Sequence, residues 1–330
     1  MAKFQAYRIF NQDGKVQARL VETSLDELDP GEVVIKTAYS SVNYKDALAA
    51  TGAGKIIRRF PCIGGIDAAG AVASSSDPRF REGDAVICTS YDLGVAHDGG
   101  YAEYVRVPAD WVVAQPSGMS SFDAMALGTA GYTAGLAVER MEHEGLKPSN
   151  GPVIVTGASG GVGSVAIDIL AGAGYEVVAL TGKVAETDYL KRLGAKDVML
   201  RSALDLSKIK PLDKATWAGA VDNLGGEVLS WLASTMQVGG ALASIGLAAS
   251  HSFNATVMPF ILRGVSLLGV DSVNTPMSLR TKVWQRLATD LKPRHLKDMV
   301  TVVTLGELPA VFEKILKVQS KGRTVVKLAG

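Results

Sequence analysis

The chain has 330 residues, and its 34 Lys and Arg residues against 33 Asp and Glu residues leave a net charge of +1. A chain so nearly neutral, with no basic stripe, argues against nucleic-acid binding. The N-terminus lacks the apolar core of a signal peptide, and two cysteines are too few for a disulfide framework. The weakly charged span 151–167 is rich in glycine, which favours a buried strand and helix over a membrane span. We therefore expect a cytoplasmic protein of two domains, without a membrane partner.

The first 125 residues predict a β-rich domain. Short apolar runs alternate with turns that contain glycine, proline and aspartate. The strand candidates are Ala6–Phe10, Glu32–Ala38, Ala68–Ser74, Asp84–Cys88 and Tyr101–Val107.

The middle of the chain predicts a dinucleotide-binding fold. A β-branched run from Val153 ends at a turn that contains Gly157, Gly160, Gly161 and Gly163, and a helix pattern comes next. Backbone N–H groups and the helix dipole converge at such a turn, where a pyrophosphate can bind. Glycine turns without a ligand are common, so the prediction depends on the segments after the turn. These segments alternate between strands and helices: Tyr175–Leu180, Ala185–Leu193, Asp197–Leu200, Ala218–Asp222, Val228–Met236 and Ala241–Ile245. This alternation is typical of a Rossmann fold, a doubly wound parallel sheet.

The residues after the second strand of this fold favour NADPH over NADH. An NAD site usually has an acidic residue there, to accept a hydrogen bond from the ribose 2′-OH. This chain has Thr181, Gly182 and Lys183 instead. Lys183 can pair with a 2′-phosphate, and Thr181 can donate a hydrogen bond to it. The alternative is that Lys183 is only a solvated loop residue.

The alternation ends after Asp271, and the remaining elements come in another order. They are a helix over Leu279–Leu291, a strand over Val300–Thr304, a helix over Leu308–Gln319 and a strand over Thr324–Leu328. We expect this segment to return to the first domain. The predicted catalytic domain is then 1–125 completed by 271–330, the nucleotide domain is 126–270, and the cleft between them is the expected active site.

Several motifs resemble the medium-chain dehydrogenase/reductase superfamily over essentially the whole chain. They are Gly65–Gly70, Glu82–Val86, Gly99–Tyr104, Gly128–Ala134 and the glycine turn. A second set is similar to one subgroup, the acrylyl-CoA reductases, which are also described as quinone oxidoreductases: Asn43–Leu48, Gly54–Pro61, Val257–Arg263 and Gly269–Ser272. The resemblance implies an α/β chain with a GroES-like β-rich catalytic domain and a Rossmann domain, NADPH as cofactor, and a homodimer. An apolar edge strand at Val265–Val270 is the candidate for extending the sheet across a two-fold axis.

The chain departs from the zinc-dependent members of the superfamily at two positions. Asn43 stands where those enzymes have a zinc cysteine, and Ile66 stands where they have the zinc histidine. Neither side chain can replace a thiolate or an imidazole around zinc. Without that Lewis acid, reduction of an already activated double bond is favoured over alcohol oxidation.

Candidate catalytic groups lie on the segment that begins at Asn43. In a conjugate reduction, hydride adds to the β-carbon, and negative charge develops on the carbonyl oxygen. We expect Tyr44 to contact nicotinamide or substrate and to donate the proton, Asn43 to orient or polarise the substrate, and Asp46 to tune Tyr44 or relay protons. The alternative is structural: Asn43 and Asp46 cap a short helix at Asp46–Ala50, and Tyr44 packs against its neighbours.

Further binding residues are predicted from position and from the resemblance. The predicted cofactor contacts are Tyr44, Thr133, Ser159, Gly160, Gly161, Val162, Thr181, Gly182, Lys183, Arg201, Gly246, Leu247, Ser272 and Arg323. A basic run of Lys55, Arg58 and Arg59 is a candidate site for the phosphates of coenzyme A, although such runs are more often solvated faces.

These observations predict NADPH-dependent, metal-free reduction of acrylyl-CoA to propionyl-CoA. The first alternative is an NADPH:quinone oxidoreductase on the same scaffold, which the sequence separates poorly from the leading prediction. The second alternative, from another class, is a non-catalytic NADPH-binding protein with a structural or regulatory role.

Overall fold

A computed structural model describes residues 3–328 of the chain, which form two compact units. Unit 1 contains the described residues up to Thr129, Val273–Trp284 and the described residues from Leu296 onward. Unit 2 contains Ala130–Ser272 and Gln285–His295. The boundaries expected above, 1–125 with 271–330 and 126–270, stay a prediction. The units differ from them chiefly in residues 285–295, which belong to unit 2.

The first 143 residues supply most of the strands of unit 1. Their elements are β1 (Phe4–Gln12), β2 (Lys15–Thr23), β3 (Val33–Val42), α1 (Tyr44–Thr51), β4 (Cys62–Ile63), β5 (Asp67–Ser75), β6 (Ala85–Thr89), β7 (Tyr104–Val107), β8 (Val112–Ala114) and α2 (Ser121–His143).

The remainder of the chain alternates between strands and helices. Its elements are β9 (Val153–Thr156), α3 (Gly161–Gly172), β10 (Val177–Thr181), α4 (Thr187–Arg192), β11 (Asp197–Leu200), β12 (Trp217–Asp222), α5 (Gly226–Thr235), β13 (Met236–Ser244), α6 (Met258–Arg263), β14 (Ser266–Gly269), α7 (Met277–Ala288), β15 (Val300–Val303), α8 (Leu308–Leu316) and β16 (Arg323–Lys327).

Unit 1 is built on two sheets. The larger sheet has the order β15-β16-β3-β5-β6-β8, and β7 also pairs with β3. The smaller sheet has the order β2-β1-β4. In the larger sheet, β16 runs antiparallel to β3 and places Thr324 opposite Val42. This register brings Arg323, from near the end of the chain, to the segment that precedes α1.

Unit 2 is a six-stranded parallel sheet in the order β11-β10-β9-β12-β13-β14. The chain moves outward from β9 to β11 and then outward in the other direction from β12 to β14. The order therefore reverses between β9 and β12, and ligands of open α/β sheets bind outside the carboxyl ends of strands at such a reversal. Side chains such as Ile154, Leu180, Leu232 and Leu242 are fully buried around the sheet. The predicted α/β fold with a Rossmann sheet is confirmed.

Strands β2, β4 and β8 and helix α6 were not predicted from the sequence. Strand β2 mixes four apolar residues with polar and charged ones, and it pairs with β1 along nine positions. Helix α2 spans 23 residues and contains Gly128 in a non-helical conformation, with φ 53° and ψ −158°. Within residues 3–328, no helix has both the length and the apolar character needed to cross a bilayer.

Candidate active site

The predicted nucleotide turn of unit 2 joins β9 to α3. Gly157 has φ +57°, and the N–H of Gly160 donates to its carbonyl at 3.0 Å, which closes the turn. A β-carbon on Gly163 would lie only 2.5 Å from the carbonyl oxygen of Gly157. Glycine at 163 therefore lets the helix approach the strand closely, as a pyrophosphate-binding turn requires. The first N–H groups of α3 have no partner within the helix, so they are available to hydrogen-bond an anion.

Polar residues at the carboxyl ends of β9 and β12 form hydrogen bonds between these two strands, where the strand order reverses. The hydroxyl of Thr156 donates to the buried carboxylate of Asp222 at 2.7 Å. Asn223 donates its side-chain N–H to the carbonyl of Thr156 at 2.8 Å, and Asp222 also accepts the N–H of Gly225. Gly246 approaches the backbone of Asn223 so closely that a β-carbon would not fit. These contacts fix the backbone at the ends of the two strands, next to the glycine turn.

The predicted 2′-phosphate site lies at the end of β10. Thr181 is buried, and its hydroxyl accepts the backbone N–H of Lys183 at 3.0 Å. Gly182 between them is exposed, with open space where a side chain would stand. The turn thus places Lys183 directly beside Thr181 beyond the strand. A lysine ammonium and a threonine hydroxyl can both donate hydrogen bonds to a 2′-phosphate.

The other predicted cofactor residues of unit 2 are placed as follows. Ser159 and Thr133 are buried, Val162 and Ser272 are half-buried, and Leu247 is exposed. Arg201 is exposed directly after β11 and lines a cleft of about 900 Å³ together with Lys210 and α5. Their contacts with a cofactor stay a prediction.

Unit 1 contains a buried cluster of polar side chains around Asp67, the first residue of β5. The Asp67 carboxylate is fully buried and accepts four hydrogen bonds. The donors are the hydroxyl of Ser41 at 2.5 Å, Nδ2 of Asn43 at 2.8 Å, and the backbone N–H and hydroxyl of Thr129 at 2.9 and 2.5 Å. The backbone break at Gly128 exposes the N–H of Thr129 for this contact. Sequence reasoning had not singled out Asp67, Ser41 or this role of Thr129.

Asp46 is a second buried acid of this cluster. One carboxylate oxygen accepts the backbone N–H of Asn43 at 2.8 Å, and the other accepts the N–H of Ile66 at 3.0 Å. Burial and the nearby charge of Asp67 raise the pKa of Asp46 to about 7, against the opposing effect of these donors. Asp46 therefore exchanges its proton near neutral pH. It also caps α1, as the structural alternative had it.

Asn43 lies between the two acids. Its Nδ2 donates to Asp67 and, at 3.3 Å, to Asp46, while its Oδ1 accepts from Arg323 at 3.3 Å. Both amide hydrogens are thus directed at carboxylates of the protein. The predicted role of Asn43 in polarising a substrate stays a prediction, and it would require the side chain to leave these partners.

Tyr44 begins α1 with its side chain directed outward. Half of the residue, 51%, is exposed to solvent. Among residues 3–328, no hydrogen bond joins its hydroxyl to Asp46. The alternative that Tyr44 packs into the protein does not fit this exposure. Its phenol is accessible to a ligand, and its catalytic role stays a prediction.

Arg323 is buried in unit 1, and its predicted contact with the cofactor stays a prediction. The residue is 3% exposed, and its guanidinium donates to the carbonyls of Ala126 and Val42 as well as to Ser41 and Asn43. These four partners are all groups of unit 1.

Both parts of the chain match known families. Residues 29–117 match the alcohol dehydrogenase GroES-like domain family, and residues 161–289 match the zinc-binding dehydrogenase family. The chain is 49% identical to the provisionally named quinone oxidoreductase YhfP of Bacillus subtilis, over 98% of this chain and 99% of that protein. It is 47% identical to the acrylyl-CoA reductase AcuI of Ruegeria pomeroyi, over 96% of both chains.

This chain belongs to the medium-chain dehydrogenase/reductase superfamily. Solved structures agree with the sequence comparison. The structure of Bacillus subtilis YhfP with NAD bound superposes with a TM-score of 0.97, covering 99% of this chain and 100% of that one. The structure of Escherichia coli YhdH with NADPH bound, 46% identical, superposes with a TM-score of 0.95 and covers 98% of this chain and 100% of that one.

By the resemblance given above, Asn43 and Ile66 stand at the positions of two zinc ligands in the zinc-dependent members. In this chain, both residues donate N–H groups to the acids of the cluster around Asp67. Within the described part of the chain, no group of three or more His, Cys, Asp or Glu side chains is arranged to hold a metal ion. Carboxylates, an amide and a guanidinium therefore supply the polar contacts at this position.

The two arginines of the basic run Lys55, Arg58 and Arg59 form ion pairs within the protein. Arg58 pairs with Asp92, and Arg59 pairs with Asp29 and donates to the carbonyl of Ala96. Lys55 is exposed beside them. Paired arginines favour the solvated-face alternative, so coenzyme A binding by Lys55, Arg58 and Arg59 stays a prediction.

Proposed function

We propose that this protein is an NADPH-dependent oxidoreductase that reduces the C=C bond of acrylyl-CoA to propionyl-CoA without a metal. The observation that carries the substrate is the full-length similarity, at 47% identity, to a protein named acrylyl-CoA reductase. The chemistry agrees with the residues, because an activated enoyl thioester needs hydrogen-bond donors rather than a Lewis acid for its carbonyl oxygen.

NADPH is the cofactor that the residues of unit 2 fit. The glycine turn leaves room for a pyrophosphate, since Gly163 permits a helix approach that a β-carbon would block. Lys183 and Thr181 stand where an acid would favour NADH. A relative of 46% identity holds NADPH, while another of 49% identity holds NAD. The difference makes Lys183 the residue to test.

The residues of α1 complete the reaction. Bound NADPH supplies the hydride that adds to the β-carbon of the substrate. Tyr44 donates its hydroxyl hydrogen bond to the carbonyl oxygen as negative charge develops there, and it is the candidate donor of the proton that completes the reduction. Asp46 exchanges protons near neutral pH and positions Tyr44 by fixing the first turn of α1.

The test compares acceptors on one enzyme preparation. NADPH oxidation is measured with acrylyl-CoA, crotonyl-CoA and a benzoquinone, and acrylyl-CoA is expected to give the highest kcat/KM. Turnover of the quinone alone would instead support the quinone oxidoreductase alternative, which the name of the 49% identical relative favours. Absence of turnover with every acceptor, together with NADPH binding, would identify a non-catalytic binding protein.

The Tyr44→Phe variant tests the role of the phenol. We expect kcat to fall about a hundredfold, with NADPH affinity unchanged. The matched control is Tyr39→Phe, an aromatic residue of β3 that packs edge-on against Phe122. Full turnover by Tyr44→Phe would remove Tyr44 as the proton donor.

We also propose a cytoplasmic homodimer. The parallel sheet of the described residues ends at β14, beside the exposed apolar side chains of α6. Ile261 and Leu262 are 71% and 59% exposed, and Leu267 on β14 is 38% exposed. Covering an apolar edge strand with a second copy would continue the sheet and remove this surface from water. The two buried free thiols, Cys62 and Cys88, suit a reducing compartment.

A further inference from the structure

The loop that follows β6 begins with two residues in the left-handed backbone region. Ser90 has φ +68° and Tyr91 has φ +50°. Residues other than glycine rarely adopt such angles, and a bulky side chain makes the conformation especially unfavourable. Backbone strain of this kind persists only where the surrounding structure enforces it, and it clusters at functional sites. The contacts of Ser90 and Tyr91 therefore indicate what the strained backbone holds in place.

Ser90 connects this loop to the polar cluster around Asp67. Its N–H donates to the carbonyl of Ile66 at 2.8 Å, and its hydroxyl lies 3.2 Å from the hydroxyl of Thr129. Because the Thr129 hydroxyl donates its hydrogen to Asp67, Ser90 is the donor in this contact. Ser90 is fully enclosed, so packing fixes its position as well. Tyr91 consequently begins directly beside the candidate active site.

The ring of Tyr91 is held by two stacking contacts. Trp111 lies nearly parallel to it, with 5.4 Å between the ring centroids and 7° between the planes. The guanidinium carbon of Arg280 lies 4.4 Å from the centroid of the Tyr91 ring, and Arg280 is anchored in turn on the carbonyl of Thr89 at 3.2 Å. Stacking and cation–π contacts hold an aromatic ring without using its hydroxyl. The phenol is therefore rigidly placed while its polar group remains unused.

The hydroxyl of Tyr91 is available to a ligand. The residue is half-buried, and within residues 3–328 its hydroxyl makes no hydrogen bond. A phenylalanine would stack on Trp111 and Arg280 equally well, so packing alone does not explain why a tyrosine stands at a strained position. A phenol hydroxyl can donate a hydrogen bond to a carbonyl oxygen. These properties fit a residue that contacts a substrate.

Tyr91 lies between two other parts of the candidate site. On its N-terminal side, Ser90 contacts Thr129 of the polar cluster. On its C-terminal side, Asp92 pairs with Arg58 of the basic run. An acyl-CoA carries its reactive thioester at one end and its phosphates at the other, joined by a pantetheine arm that contains amide groups. A substrate with its thioester at the cluster and its phosphates at the basic run places this arm beside Tyr91.

We propose that Tyr91 is a substrate-binding residue whose hydroxyl donates a hydrogen bond to an amide carbonyl of the pantetheine arm. This role rests on the proposed function, because it requires an acyl-CoA as the acceptor. Tyr91 takes no part in the transfer of hydride or proton. It distinguishes an acyl-CoA from acceptors that lack the arm.

The experiment compares Tyr91→Phe with a matched control, Tyr104→Phe. Removal of the hydroxyl leaves the Tyr91 ring stacked on Trp111 and its backbone conformation unchanged, so an effect on binding belongs to the lost hydrogen bond. Tyr104 is another half-buried tyrosine of unit 1, and its ring packs against Phe4. Dissociation constants for propionyl-CoA and NADPH are measured by calorimetry. The kcat and KM values are measured by NADPH oxidation with acrylyl-CoA and with a benzoquinone.

In Tyr91→Phe, we expect the dissociation constant of propionyl-CoA and the KM for acrylyl-CoA to rise about fivefold, because one hydrogen bond to the ligand is lost. The kcat with acrylyl-CoA, the turnover of the benzoquinone and the dissociation constant of NADPH should stay within about twofold. Tyr104→Phe should change none of these values.

An unchanged dissociation constant for propionyl-CoA in Tyr91→Phe would overturn the proposal. Equal losses with acrylyl-CoA and the benzoquinone would also overturn it, because they would place the hydroxyl at the reacting carbonyl, and a loss of NADPH affinity would place it at the cofactor. The proposed function fails separately if the wild-type protein binds propionyl-CoA but turns over only the benzoquinone, and the binding measurement then still tests Tyr91. A wild-type protein that does not bind propionyl-CoA would contradict both.

Discussion

The carboxylate of Asp67 accepts both the backbone N–H and the hydroxyl of Thr129, at 2.9 and 2.5 Å. This contact is possible because α2 breaks at Gly128, immediately before Thr129. The carboxylate thereby caps the second part of the helix, where N–H groups lack partners within the helix. Asp67 thus accepts the hydrogen bonds of the polar cluster and also caps the helix segment that begins at Thr129.

Gly128→Ala should therefore disrupt the cluster and the helix together. Its β-carbon would lie 2.6 Å from the guanidinium of Arg323 and 2.7 Å from Asp67, in a backbone conformation with φ +53° that alanine disfavours. We expect a loss of at least about 2 kcal/mol in the free energy of unfolding, measured in urea. Gly264→Ala is the control, because it has φ +59° and open space around it. Equal losses in the two variants would show that the cluster is not tightly packed.

Lys183→Ala should change the choice of cofactor. Loss of an ammonium beside the 2′-phosphate is expected to weaken NADPH binding about tenfold or more, and to leave NADH binding nearly unchanged, since NADH lacks that group. Dissociation constants for both cofactors are measured by fluorescence. Lys191→Ala, an exposed lysine of α4, is the control. An unchanged ratio of the two constants would mean that Lys183 does not read the 2′-phosphate.

Asp46 should make the stability of the protein depend on pH in a direction opposite to that of an ordinary salt-bridged acid. Its pKa is raised from 3.8 to about 7 on folding, so between these values the folded state retains a proton that the unfolded chain has released. Stability attributable to Asp46 is therefore greatest below pH 4 and falls as pH rises to 7, by at most about 4 kcal/mol.

Asp46→Asn should remove this slope. The measurement is the free energy of unfolding in urea from pH 4.5 to 8, in the wild-type protein and in the variant. The difference in unfolding free energy between the wild-type protein and the variant should change steadily from pH 4.5 to 7 and stay constant from pH 7 to 8. Asp110→Asn, whose side chain is 83% exposed, is the control. A difference that does not vary with pH would show that Asp46 titrates outside this range.

A charge on α6 should separate the proposed dimer. Ile261→Glu places a carboxylate in the exposed apolar surface beside β14, where a second copy would bury it without a partner. We expect the sedimentation mass to fall to that of a monomer while the circular dichroism spectrum is retained. Val184→Glu, an equally exposed apolar residue elsewhere in unit 2, should leave the mass unchanged. A wild-type monomer would contradict the proposal directly.

The features predicted correctly from the sequence are those that depend on residue patterns within a few positions. The turn from Gly157 to Gly163 and strand β11 were predicted at their observed positions, because glycine spacing and β-branched runs act over a few residues. The absence of an acid at Thr181–Lys183 was equally visible. Strand β2 was not predicted, and its pairing with β1 along nine positions identifies it in the structure.

The Arg323 assignment shows where local signals end. The sequence Lys321-Gly-Arg-Thr324 resembles a cofactor position, and only the register of β16 on β3 shows that Arg323 also donates to Asn43. Asp67 was visible only as part of a motif, although it accepts four hydrogen bonds. Neither relationship is encoded by spacing along the chain.

By itself, the sequence determined the parallel sheet, the nucleotide turn, the lack of an acid at Thr181–Lys183 and the residues at the two zinc-ligand positions, because each depends on residue types within short segments. Only the tertiary structure decided which residues replace the metal site. Ser41, Asn43, Asp67, Thr129 and Arg323 meet there because strands β3, β5 and β16 pair side by side. Buried polar groups separated by up to 282 positions in the chain can be matched only after the sheet has brought them together.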